Sequence, residues 1–243
     1  MEVLINKARR NRDEEVKIGV HKTLTFLLLF FLFASFSSDT SNEQPVLEET
    51  WVLKLEEDSI KVFIRNYKNT NLLEFKAETE IAAGLSSLIS VVRNIDEANL
   101  LFEASKQAEL IEKIDEKEWI VWSYIDVPFP FDDRDMVARM KLTQDKDSKI
   151  VTINIGGEPD YIPERSKKVR IPLVDGTITY IPIDINTTKV IYQNVTDPGG
   201  LMPAWLINMG VIKAPLETLK NYKRLATKEI HQNPRFDFIE DYK

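Results

Sequence analysis

Asp197-Pro198-Gly199-Gly200-Leu201-Met202-Pro203-Ala204-Trp205-Leu206-Ile207-Asn208-Met209 opens the longest helical signal in the chain, which runs on to His231. Proline second and glycine third in Asp197–Gly200 suit a type II turn, whose third residue needs positive φ. A strand therefore ends here. Pro203 fits the first turn of a helix, and Met202, Trp205, Met209, Ile212, Leu216, Leu219 and Ala226 follow at spacings of three and four, with Leu206 and Leu225 widening the stripe. A long helix with so broad an apolar face needs an equally broad apolar surface to lie on. Pro215 stands inside the stripe without an N–H to donate, and it predicts a bend or break over residues 210–214.

Upstream, the partner surface is visible as strands. Residues 51–55, 60–67 and 72–81 alternate apolar and polar side chains between turn signals and read as a meander. From Gly84 the period becomes helical through Leu85, Leu88, Ile89 and Val92, and a second helix is expected over 103–114. Strand patterns return at 119–127, 135–143, 150–155, 169–173, 177–183 and 189–196, while 156–168 has no period and reads as a long loop with an apolar tip at Tyr161 and Ile162. The sum is an α+β fold: a curved antiparallel β-sheet of eight or nine strands wrapped around a long C-terminal α-helix, with two short helices between strands 3 and 4. A space between the concave face and the helix, lined by Leu, Ile, Met and Trp, would suit an apolar ligand.

With 243 residues, 43% hydrophobic and 29% charged, the chain has apolar content for one large core. Residues 1–38 are set apart from it. Leu24 to Phe36 is a 13-residue apolar run after Lys22, shorter than a membrane span of roughly 20 residues and suited to the core of a secretory signal, with Ser35 and Ser37 as small residues for cleavage. An uncleaved membrane anchor is the alternative. Residues 39–49 read as a linker, 50–232 as the ligand-binding domain and 233–243 as a polar and aromatic tail with no assignment. The expected location is an exported one, periplasmic or extracellular. Without residues 1–38 the formal charge is −9, which argues against nucleic acid and against polybasic attachment to anionic lipid.

Several motifs occur together in an order that resembles the START (steroidogenic-acute-regulatory-related lipid transfer) domains. They are Pro128 and Pro130 followed by Arg134-Asp135-x-Val137, Val169-Arg170 after the long loop, Pro182, and Asp197-Pro198-Gly199-Gly200-x-x-Pro203-x-Trp205-Leu206-x-Asn208. The resemblance spans roughly residues 51–225 and implies the helix-grip fold and the carriage of one lipid, often a sterol, in an internal cavity. It implies further that the 156–168 loop is an Ω-loop working with the last helix as a lid. The residues expected to line and close the space are Tyr124, Val137, Arg139, Ile153, Tyr161, Ile162, Pro163, Tyr192, Trp205, Leu206, Met209, Ile212 and Leu216. Many members place an inward basic residue three positions after the Val of Arg-Asp-x-Val, where Met140 stands here. Arg139 lies one residue earlier, so either a bulge turns it inward or the space lacks that cation, which is the expectation.

Catalytic chemistry is sparse. Without cysteine there is no thiol nucleophile, and with two histidines, one in the set-apart segment, a Ser-His-Asp triad or a His-built metal site would rest on His231 alone. His231 is expected to sit against the negative end of the last helix. Asp132-Asp133 reads as a solvated turn, and Gly156-Gly157 and Gly199-Gly200 lack the spacing of a phosphate loop. The function expected is therefore a lipid- or sterol-like carrier, monomeric, without cofactor or metal and in transient membrane contact. The alternatives are a cyclase- or hydrolase-type enzyme using the same space, and a structural module filled by its own side chains.

Overall fold

The computed structural model describes residues 50–68, 70–200, 202–232 and 234–242, the side chains of Ala204 and Met209 excepted. The segments read above as signal and linker lie outside these residues. Ten strands form one sheet: β1 (Val52–Glu57), β2 (Ile60–Asn66), β3 (Leu73–Ile81), β4 (Gln107–Lys113), β5 (Glu118–Ile125), β6 (Asp133–Gln144), β7 (Val151–Gly157), β8 (Lys168–Arg170), β9 (Leu173–Asp184) and β10 (Thr187–Asp197). The order is β1-β2-β3-β10-β9-β7-β6-β5-β4, with neighbours antiparallel. Short β8 pairs parallel with the start of β6. Helices α1 (Leu85–Arg93) and α2 (Ala98–Leu101) connect β3 to β4, and α3 (Ala204–Asn208) and α4 (Ala214–Ala226) make up the last helix.

The expected helix at 103–114 is overturned. Gln107–Lys113 is strand β4, paired with β5 from Gln107↔Tyr124 to Lys113↔Trp119. The segment is made of fair helix formers, but β5 would otherwise be a long edge, and pairing its backbone groups outweighs a propensity difference of a few tenths of a kcal/mol per residue. Between α3 and α4, residues Met209–Lys213 form a π-helical turn, immediately ahead of Pro215 in the first turn of α4. A π-turn carries an extra residue, so the ladder is interrupted in the stretch where the proline removes a donor.

One face of the sheet packs on the last helix. Alternation assigns the faces: Trp119 and Val121 of β5, Ala138, Met140 and Leu142 of β6, Ile153 of β7, Ile178 and Tyr180 of β9 and Val190 of β10 join Leu216, Leu219, Tyr222 and Leu225 of α4 in the main core. α1 enters the same core through Leu85, Leu88, Ile89 and Val92, the i, i+3, i+4, i+7 stripe of an amphipathic helix. The tail has a place too. Ile239, Phe236 and Phe238 pack on this core, and Asp241 accepts hydrogen bonds from Ser86 N (2.9 Å) and Ser86 Oγ (2.6 Å), capping a helix whose own Gly84 offers no cap.

Candidate functional site

The two ends of the helix-facing core differ in how polar groups are satisfied. At the α4 end, Tyr180 and Tyr222 share a hydroxyl hydrogen bond of 2.7 Å and Tyr222 donates to Leu88 O at 2.8 Å, a closed chain inside apolar packing. Burial raises the pKa of both tyrosines, so they stay neutral. Toward the α3 end the same face carries Tyr192 and Asn194 on β10 and Ser123 on β5. Phe75 packs edge-on against Tyr192 at 4.9 Å between centroids and Phe102 at 6.2 Å. Tyr192 lies deep enough for burial to push its pKa up, yet its side chain is only half-buried by contact. Ser123 Oγ and Asn194 Oδ1 are buried without a hydrogen-bond partner among the described residues.

The one charged side chain at a helix-facing position of β6 is Arg134, which is buried. It donates from Nε to Pro198 O (3.2 Å), from Nη2 to Gly199 O (3.1 Å) and from Nη1 to Asp132 O. Those carbonyls belong to the turn before the last helix and to the loop 126–132. Arg134 thus ties the roots of both segments together. In the turn, Gly199 and Gly200 have φ of +66° and +63°, and Asp197 Oδ1 accepts from Gly199 N at 2.9 Å, as the turn reading requires. In the loop, Asp133 accepts from Val127 N (3.0 Å) and Tyr124 Oη (3.1 Å), so this half of Asp132-Asp133 closes a loop rather than meeting solvent. Phe129 at the loop tip is 97% exposed and Trp205 at the start of α3 is 53% exposed.

The opposite face of the sheet carries a second, smaller cluster of Ile120, Trp122 and Val137, covered by Ile162 and flanked by Tyr124. Asp135, fully buried there, accepts from Trp122 Nε1 (2.7 Å) and pairs with Arg170 through Nε (3.0 Å) and Nη2 (3.0 Å). Burial raises the Asp135 pKa, but the Arg170 and Trp122 hydrogen bonds and the Arg170 charge outweigh it and hold the carboxyl below its usual range. Arg170 also donates to the carbonyls of Pro159, Ile162 (3.1 Å) and Pro163 (3.3 Å), so it holds the 158–167 segment from beneath. Arg165 stacks 3.6 Å above the Trp122 ring and makes a two-pronged pair with Glu109 (3.0 and 2.7 Å).

No family model matches the chain. A Pseudomonas aeruginosa protein described as uncharacterized is 29% identical over 182 residues, 75% of this chain and 89% of that one. The crystal structure of a STAR-related lipid transfer protein from Xanthomonas axonopodis superposes with a TM-score of 0.67 at 29% identity, covering 73% of this chain and 99% of the other. The chain has the fold of the START lipid transfer domains. The bovine phosphatidylcholine transfer protein is also similar, 25% identical over 194 residues, 75% of this chain and 90% of its own. The helix-grip fold expected from the sequence is the fold observed.

Within this fold the expected lining residues divide between two faces. Ile153, Tyr192 and Leu216 lie on the helix-facing side, and Leu206 and Ile212 are half-buried on the last helix. Tyr124, Val137 and Ile162 belong to the opposite face, and this corrects their assignment. Arg139 is there too, paired with Glu118 (2.7 Å) and Glu158 (2.7 Å), with Tyr161 5.9 Å away and bonded to Glu112. The 158–167 loop with Pro163 is fastened to that face, so the segment placed beside the last helix is the 126–132 loop. Trp205 points largely to solvent, and the Met209 side chain lies outside the described residues. The cause is a one-residue ambiguity: Trp119-Ile120-Val121-Trp122 is apolar at every position because both faces are covered, so alternation could not say which side was which. Ser123 was missed because a single polar residue in a strand carries no signal of its own, and Asn194 because its one signal, the Asn194-Val195-Thr196 match to a glycosylation acceptor, points to a surface residue whereas it is buried.

His231 also differs from expectation. It is buried beyond the helix end, with Nδ1 3.0 Å from Ser90 Oγ and Nε2 2.8 Å from Glu97 Oε2. The residue types of a triad meet here, but Ser90 sits inside α1, where backbone N–H groups are already bonded and cannot form an oxyanion hole. The group instead ties the C-terminal segment to α1 and to the turn carrying Glu97.

Proposed function

We propose that this START-fold domain is a non-enzymatic carrier that holds one apolar lipid or sterol-like molecule between the helix-facing side of the sheet and the α3 half of the last helix. The observation that supports the reading is Tyr192: packed by Phe75 and Phe102 on the helix-facing side, it is still only half-buried, as a residue bordering a ligand space would be. Tyr192, Met136 and Ile125 are partly buried against the same apolar core, so burial of ligand surface at about 25 cal/mol per Å² would supply the affinity. A cyclase- or hydrolase-type activity would need several ionisable groups converging inside, and the described helix-facing positions of β6 offer Arg134, already engaged by three carbonyls.

Exchange with a bilayer would take place at the end where Phe129 and Trp205 are exposed. Arg134 holds their two segments side by side, and an aromatic pair at one end of the domain suits the membrane interface. Mass spectrometry of an organic extract of the purified protein tests the carrier reading. An unchanged lipid, stoichiometric with protein and exchangeable into vesicles, is the expected result. Conversion of an added ester or polyketide, with no retained lipid, overturns it.

A further inference from the structure

Resting on the carrier reading, we propose that the ligand enters with an uncharged, hydroxyl-bearing head, and that Tyr192 and Asn194 receive that hydroxyl inside the protein. The two side chains occupy alternate positions of β10 and therefore share the helix-facing side. Neither is satisfied by the protein. Asn194 Oδ1 is 7% exposed as a residue and unpartnered, and the Tyr192 hydroxyl has no hydrogen bond among the described residues. Buried polar atoms are nearly always paired, and Tyr180, on the neighbouring strand β9 opposite Val190, shows how this protein pairs a tyrosine when nothing else is to bind there.

The Asn194 seat is built. Its Nδ2 donates to Thr196 Oγ1 at 2.8 Å, which fixes the amide and leaves its other atom free. Gly176 stands opposite on β9, and a Cβ added there would lie 2.5 Å from Asn194 Oδ1 and 2.6 Å from Gln193 O. Glycine is what leaves room for the amide. An alcohol matches the pair: its O–H donates to Asn194 Oδ1 while its oxygen accepts from Tyr192 Oη.

A charged head does not match. The cation at a helix-facing position of β6, Arg134, already donates from Nε, Nη1 and Nη2 to the carbonyls of Pro198, Asp132 and Gly199. Arg139 and Arg170 are committed to carboxylates on the other face of the sheet. A carboxylate or phosphate beside Tyr192 would be buried without a counter-charge. The recognised class is thus neutral lipid alcohols, such as sterols, diacylglycerols or long-chain alcohols.

The test is displacement of a bound fluorescent sterol from the full-length protein by three probes of equal chain length, hexadecan-1-ol, hexadecanoate and hexadecane. The alcohol is expected to bind about tenfold or more tighter than the other two, as one well-made buried hydrogen bond implies. Tyr192→Phe keeps the ring packing on Phe75 and Phe102 and should remove most of that preference, the alcohol losing far more affinity than hexadecane. Asn194→Ala should do likewise. Binding of all three without discrimination, or an alcohol preference that survives in Tyr192→Phe, overturns the hydroxyl head alone. Tighter binding of hexadecanoate, or of phosphatidylcholine added as a fourth competitor, replaces it with a charged one. Failure of the sterol and all probes to bind removes the carrier reading beneath it.

Discussion

The last helix is two structures in one. Its α4 half buries Pro215, Leu216, Thr218, Leu219, Tyr222, Leu225 and Ala226, and is fastened by Tyr222 to Leu88 and by Lys220 to Glu57. Its α3 half, with the π-turn, has Trp205 and Gly210 exposed and Leu206, Ile207, Val211 and Ile212 half-buried. The same apolar stripe runs through both. The difference is what lies beneath: α4 rests on α1, α2, β2 and β3, whereas the π-turn that follows α3 meets β2 and β3. A helix is held by what it covers, so the half with fewer buried side chains is the one expected to open first. The two long loops repeat the contrast. The 158–167 segment is fastened by Arg170 and Arg165, while the 126–132 loop is tied at its root and carries Phe129 into solvent.

The largest effect should come from the fastened side. Asp135→Asn removes the negative charge that Arg170 needs and leaves a buried cation, so chemical denaturation should show a loss of about 3 to 5 kcal/mol. An effect below 1 kcal/mol would mean that the clamp is not what holds the loop. Next, Leu219→Ala should cost about 2 to 5 kcal/mol by cavity formation, while Trp205→Ala should stay within about 1 kcal/mol and instead slow lipid exchange with vesicles. Equal costs at the two positions would erase the distinction between the halves. Hydrogen exchange sharpens it further: amides over residues 204–213 should exchange well before those over 216–226 in ligand-free protein, and added ligand should protect the first set only.

A smaller, pH-dependent effect belongs to Glu97. Hydrogen bonds from Lys228 and His231 lower its pKa below the usual value of about 4.3, so its contribution to stability is present above that value and is lost as pH falls through the depressed one. Lys228→Met should flatten the fall in melting temperature below pH 4.5, and an unchanged acid limb would remove this tie from the account. The smallest effect is expected at Arg139. Its pairs with Glu118 and Glu158 are part-exposed on the far face, so Arg139→Met should leave ligand affinity unchanged and stability within about 1 kcal/mol. A large loss of affinity would place a charged clamp where none is described.

Much of the fold was legible because it is written in local rules. The turn glycines, the Pro203 start, the Pro215 interruption and the three-strand meander each follow from one residue's φ range or from a period, and each stands where expected. β4 was not legible, since Gln107–Lys113 adopts a strand only when an unpaired edge is offered to it. The tail was not legible either. Phe236, Phe238 and Asp241 acquire a role only once α1 presents an uncapped end and the core a gap beside it.

For the site, the chain alone determined its ingredients: an apolar helix over an apolar sheet, few groups able to do chemistry, and Met140 rather than Arg139 in register with the interior. Tertiary structure decided which side each strand residue faces. In a sheet covered on both sides, hydrophobicity no longer alternates, and a shift of one residue moves a side chain across the sheet. That is why Val137 and Tyr124 exchange places with Ala138 and Ser123. It is also why the unpartnered Asn194 Oδ1, on the same face as Tyr192, becomes visible only when the partners of every neighbouring group are known.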